Sequence, residues 1–148
     1  MNILIINGPN LNLLGIREPH IYQNKTYEEL VNYLNDLALK HQVSIEVFQS
    51  NHEGAIIDKL HEGYFNHVDA IIINPGAYTH YSYAIRDAIS AISIPTVEVH
   101  LSDISKRENW RKNSVISEVC TNTFMGEHFQ SYQKAIEYII SERNNYAK

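Results

Sequence analysis

Three short stretches of the chain carry side chains able to move protons or hold an anion, and each stands where an apolar run stops. In Glu98-Val99-His100 a carboxylate and an imidazole lie two apart on a strand and so share one face. A carboxylate beside an imidazole fixes its tautomer and favours its protonated form, which makes a general acid. A buried histidine satisfied by a neighbouring glutamate has the same spelling, and the pair's place at the carboxyl end of a central strand tips the reading toward chemistry. Arg17 and Tyr22 lie in a long loop after the first strand. A free tyrosine ionises near pH ~10 and is a poor base at neutral pH, but an adjacent guanidinium favours the phenolate. A solvated arginine and an anchoring tyrosine would fit the same spacing. Asn74-Pro75-Gly76-Ala77-Tyr78-Thr79-His80 ends a buried run and enters a helix. Helix N-termini suit carboxylate or phosphate, although Asn74 and Gly76 could equally serve only the turn.

The elements that hold these residues alternate strand and helix. Apolar strands are expected at Ile3–Ile6, Val43–Phe48, Asp69–Asn74, Thr96–His100 and, shorter, Ser117–Phe124. A helix opens after Thr26, where Glu29 completes a capping box, and buries Leu30, Val31, Leu34, Leu37 and Ala38. Ser50 with Glu53 and Ser105 with Glu108 spell two further capping boxes, the second opening a short helix through Trp110. Gly63 is expected near a helix end, a helix follows Thr79, and the last helix spans about Ser131 to Arg143, with residues 143–148 a frayed tail. Five β-α repeats with strands apolar on both faces predict one α/β domain over residues 1–148, a doubly wound parallel sheet in the order 2-1-3-4-5 with helices on both faces. Ligands in such sheets bind beyond the carboxyl ends of the strands, at the switch point between strands 1 and 3. Asn7–Asn10, Asn74–Ala77 and Glu98–His100 all fall there.

Composition narrows the classes. The chain has 148 residues, 44% hydrophobic and 20% charged, as globular domains do. Its net charge of −5, with scattered basic residues, carries no nucleic-acid footprint, so an anion would need a local cationic pocket. The single Cys120 favours a reducing compartment, and no apolar run reaches the ~20 residues of a membrane span. With no signal-peptide pattern at the start, a cytoplasmic location is expected. Metal-ligand spacing, phosphate loops of the GxxxxGK[ST] or GxGxxG type and a GxSxG elbow are all missing, so Ser102 is not an obvious nucleophile. Leu101 and Ser102 are better read as backbone and hydroxyl donors to an anion. Arg107 and Arg111 lie four apart on one predicted helix face, and either solvated charge or a reach into the pocket fits them.

Taken together, IINGPNLNLLGIREPHIY, IIINPGAYTHYSYAIRDAI and VEVHLSDISKRENWR resemble the type II 3-dehydroquinate dehydratases, in order and over nearly the whole chain. The resemblance implies a flavodoxin-like fold and loss of water from 3-dehydroquinate in the shikimate pathway, through an enolate and without Schiff base, metal or cofactor. It implies Tyr22 as the base, Arg17 as its activating cation, Asn10 as holder of a water at the enolate oxygen, and His100 as the acid oriented by Glu98. It places the substrate carboxylate against Asn74, Leu101 and Ser102, and the ring hydroxyls against His80 and Arg111. Asp87 would reach a neighbouring subunit's site in a homododecamer of trimers. Tyr81 stands where the family commonly has Thr, Ile16 where Thr is common, and Gln23-Asn24 where Gly often follows the tyrosine; the last two bear on how the loop closes. The competing reading is a flavodoxin-like module that binds a small anion or nucleotide without catalysis. It calls for a Ser/Thr-rich loop after strand 1, where this chain has Pro9-Asn10-Leu11-Asn12.

Overall fold

The computed structural model describes residues 1–16 and 25–146. Five parallel strands form one sheet in the order β2-β1-β3-β4-β5, the predicted doubly wound order. They are β1 (Asn2–Asn7), β2 (Ser44–Gln49), β3 (Ala70–Asn74), β4 (Thr96–His100) and β5 (Asn122–Met125). Among the described residues, four α-helices cover the sheet: α1 (Tyr27–His41), α2 (Glu53–Phe65), α3 (Tyr83–Ile92) and α4 (Phe129–Tyr146). Side chains alternate across a strand, so β1 feeds two cores. Ile3 and Ile5 pack with Leu30 and Leu34 of α1 and with Tyr132, Ala135 and Ile136 of α4. Leu4 and Ile6 pack on the other face with Ile56 and Leu60 of α2 and with Ile85 and Ile89 of α3. No described helix is long and apolar enough to cross a membrane.

Register matters most at the carboxyl edge. Asn7 and Asn74 are partners across the β1–β3 ladder, the last pair on each strand. Two polar side chains thus end adjacent buried strands at the point where the chain switches direction.

The Thr26 capping box forms as read, with Thr26 Oγ1 accepting from the Glu29 amide at 3.1 Å and Glu29 Oε2 accepting from the Thr26 amide at 2.7 Å. The other two boxes do not form. His52, not Ser50, precedes α2, and the Glu53 carboxylate instead accepts from the Ser82 hydroxyl at 2.6 Å, tying α2 to α3. Asp103 takes the Ser105 amide at 3.0 Å and opens a 3-10 turn, Ile104–Lys106, so no single helix runs to Trp110. Arg111 belongs to a second 3-10 turn, Asn109–Arg111, and the two arginines do not share a helix face.

Three boundaries also move. A 3-10 turn, Gly76–His80, precedes α3, so the stretch after β3 enters that helix only at Tyr83. Residues Ser117–Val119 form a 3-10 turn rather than the start of β5. The last helix continues to Tyr146 instead of fraying from 143, and the Arg143 guanidinium lies 3.7 Å from Asp69. Gly63 sits inside α2, where an added Cβ would lie 3.0 Å from Leu4 Cδ2. It is there for close helix–sheet packing, and the chain turns beyond it, at His67 with φ 57°.

Candidate active site

The turns leaving β1 and β3 lie against each other. The Gly8 amide donates to the Asn74 carbonyl at 2.8 Å. A Cβ on Gly8 would fall 2.4 Å from the Pro75 carbonyl oxygen, and one on Gly76 would lie 3.0 Å from the Pro9 oxygen. Gly76 also has φ 61°, which only glycine adopts freely. Two glycines therefore let the turns meet at the switch point.

Beneath them lies a buried polar bridge. Tyr132 of α4 donates its hydroxyl to Asn7 Oδ1 at 2.6 Å and accepts from Asn74 Nδ2 at 3.1 Å. Asn74 Oδ1 accepts from the Gly76 amide at 3.3 Å. Tyr132 and Asn7 have no exposure and Asn74 has 4%. Each polar atom in such a place needs a partner, and these satisfy one another. One N–H of Asn74 is left for the cleft above.

That cleft is lined by Asn10, Asn74, His80, His100, Leu101, Ser102, Arg107 and Arg111, with Pro9 and Gly76 at its floor. Asn10 stands in the left-handed region, φ 68°, held by its amide's bond to Asn51 Oδ1 at 3.0 Å. Leu101 packs its side chain into the core, so only its backbone can serve the cleft. Arg107 and Arg111 flank Glu108: Arg111 Nε lies 2.8 Å and Arg107 Nε 4.0 Å from the same carboxylate oxygen. Two guanidiniums around one carboxylate leave local positive charge in a chain of net charge −5. The Arg111 guanidinium also stacks over Trp110 at 4.0 Å. Such a cleft suits a small carboxylate carrying further hydroxyls.

Glu98 and His100 lie side by side at the end of β4, with Oε2 3.1 Å from Nε2. Nε2 makes no aligned hydrogen bond there, so the two groups meet by proximity. Burial alone would push Glu98 up; the adjacent His100 ring and the hydroxyls of Ser114 and Ser117 outweigh it and hold the carboxyl below its ordinary range. Ser114 Oγ donates to Oε1 at 2.7 Å and Ser117 Oγ to Oε2 at 2.9 Å. His80 is pulled down, first by burial and then by the charges of His100 and Arg111, against the Asn113 carbonyl and Glu98. That carbonyl, 2.8 Å from Nδ1, accepts a hydrogen bond from the ring N–H, which leaves Nε2 an acceptor in the neutral ring.

Of the residues named from sequence, Asn10, Asn74, His80, His100, Leu101, Ser102 and Arg111 come together here, with Glu98 directly behind His100. Arg107, open between two readings, lines the cleft. Asp87 is exposed on α3 and is not among the lining residues. Arg17 and Tyr22, with Gln23 and Asn24, lie outside the described residues. Sequence reasoning missed Tyr132, Ser114 and Ser117. Tyr132 could have been found: it precedes Ala135 and Ile136 by helical spacing, so it faces the core, and a buried hydroxyl needs a partner. No comparable signal marks the serines.

A family model described as Dehydroquinase class II matches residues 1–140. The 3-dehydroquinate dehydratase of Caldicellulosiruptor bescii is 56% identical over 140 residues, covering 95% of this chain and 96% of that protein. That of Thermotoga maritima is 51% identical over 139 residues, covering 94% of each. Among solved structures, the type II dehydroquinase from Butyrivibrio crossotus is similar with a TM-score of 0.93 at 54% identity, covering 94% of this chain and 97% of that one. The type II dehydroquinase from Propionibacterium acnes gives 0.91 at 35% identity, covering 95% and 96%.

Proposed function

The chain belongs to the class II dehydroquinase family, and from that premise we propose how its site divides the reaction between Tyr22 with Arg17 and the carboxyl edge of the sheet. The reaction is the dehydration of 3-dehydroquinate to 3-dehydroshikimate, a step of the shikimate pathway. The first pair supplies the base. Tyr22, held as phenolate by Arg17, removes a proton from the carbon between the ketone and the carbon that loses its hydroxyl, and the electrons pass to the ketone oxygen as an enolate. Asn10 holds a water that donates to that oxygen. The edge supplies the acid. As the enolate collapses, the C–O bond breaks and the hydroxyl leaves as water with the proton of His100, which Glu98 orients. Tyr22 and His100 return to their starting forms by exchange with solvent.

Asn74, Leu101 and Ser102 receive the substrate carboxylate, and His80 and Arg111 the ring hydroxyls. No cofactor or metal enters the scheme. Asp87, exposed on α3, suits a reach toward a second subunit's site, in a cytoplasmic homododecamer built from trimers. The observation that carries the reading is the gathering of His80, His100, Arg107 and Arg111 with Asn10, Asn74 and Ser102 at the carboxyl ends of β1, β3 and β4.

Hydrogen exchange separates the halves. In deuterated buffer, His100→Ala should exchange the proton beside the ketone while eliminating water more than about 10²-fold slower. Tyr22→Phe should bind substrate yet neither exchange nor eliminate at an appreciable rate. Exchange that survives in Tyr22→Phe would remove Tyr22 from the role of base.

A further inference from the structure

Ser114 and Ser117 stand apart from every stretch tied to the reaction, yet both hydroxyls converge on Glu98. Ser114 Oγ lies 2.7 Å from Oε1, and Ser117 Oγ lies 2.9 Å from Oε2 and 3.2 Å from Oε1. Each hydroxyl has one proton to give. Ser114 spends its acceptor capacity on the amides of Ile116 and Ser117, both at 3.1 Å, which orders the turn and aims its own O–H at the carboxylate. The Ser117 hydroxyl directs its one proton toward the two Glu98 oxygens.

Glu98 has no exposed surface, so water cannot solvate its charge. Without the two hydroxyls, the His100 ring alone would face that charge. We propose that Ser114 and Ser117 are positioning residues for the dehydration: they keep Glu98 ionised and fix its rotamer against His100, and so set the acidic limit of catalysis. The proposal rests on the reading of His100 as the acid. Among the described residues, Arg107 and Arg111 line the same cleft as His100. Glu98 and His100 face each other on β4, His80 from the turn after β3 feels both of them, and Cys120, just beyond the Ser117–Val119 turn, feels the Glu98 charge. None of these neighbours donates a hydroxyl proton to the carboxylate.

Ser117→Ala is the cleaner probe, because it removes a donor to Glu98 and leaves the turn's amide contacts in place. Its kcat profile should lose activity at higher pH on the acidic side, the midpoint moving up by roughly half a unit or more, with KM changed less than about twofold at neutral pH. Ser117→Thr, which keeps the hydroxyl, should restore the parent profile. In ligand-free protein, the carbon-13 carboxyl titration of Glu98 should move up in Ser117→Ala as well. A Ser117→Ala profile that superimposes on the parent, a Thr variant that behaves like the Ala variant, or an unmoved Glu98 titration would overturn the assignment. If the parent itself fails to turn over 3-dehydroquinate, the mechanism above fails, and the carboxyl titration alone then confirms or overturns the role of the serines.

Discussion

A buried hydroxyl clasped by two asparagine amides cannot be removed without leaving one of them unpaired. Tyr132→Phe keeps the ring and deletes the bonds to Asn7 Oδ1 and Asn74 Nδ2. The expected cost is roughly 1–3 kcal/mol in urea unfolding, the desolvation penalty of a buried polar group left alone. It should also raise KM more than it lowers kcat, since Asn74 loses its brace beneath the cleft. Two other residues make stability depend on pH. His80 binds its proton less tightly when folded than its ordinary 6.5, so the unfolded chain takes up protons first as pH falls below that value and stability drops. Glu98 is likewise held below its ordinary 4.5; what it contributes is present above 4.5 and is lost as pH falls through the depressed folded value. Melting temperature should therefore decline below about pH 6.5 and more steeply below about 4.5. His80→Gln should flatten the upper part of that decline and leave the lower. At this scale the sequence was readable where a side chain's chemistry singles it out, as with Glu98, His100 and Asn74. It was opaque where ordinary serines at positions 114 and 117 acquire partners only through the fold.

Among elements, the meeting of the β1 and β3 turns is the sharpest constraint on the site. At Gly8 an added Cβ would lie 2.4 Å from a backbone oxygen, with no flexible side chain to give way. Gly8→Ala should cost about 1–3 kcal/mol, as other overpacked sites do, and should lower kcat by spreading Asn10 from Asn74; urea unfolding and steady-state kinetics check both. The strands were legible because their apolar runs and the parallel sheet they imply leave few alternatives. Helix starts were legible only where no competitor stood nearby. The Thr26 cap formed, whereas Glu53 was taken by Ser82 from another helix and Asp103 displaced Ser105. Capping spelled in sequence is a local offer, and tertiary partners can outbid it. The 3-10 turns through residues 104–111 could not be read either, since their register is set by what Arg107 and Arg111 line rather than by an apolar period.

At the scale of the whole molecule, an acidic chain presents a basic cleft at one end of its sheet. The net charge of −5 would repel an anionic substrate at long range, but screening beyond ~10 Å at ordinary ionic strength leaves the local arginines and histidines to decide binding. The strand order concentrates the ends of β1, β3 and β4 at that cleft, which is why residues from positions 10 to 111 meet there. The central claim is that this edge dehydrates 3-dehydroquinate by proton abstraction and acid-assisted departure of water. The most direct measurement is to mix the protein with 3-dehydroquinate and follow the ultraviolet absorbance of the conjugated enone, before and after the protein is treated with substrate and borohydride and freed of both. The parent should give a steady rise that prior borohydride treatment does not abolish, and His100→Ala a rise slowed by more than about 10²-fold. No rise from the folded, assembled parent, or inactivation by borohydride through a trapped lysine adduct, would contradict it.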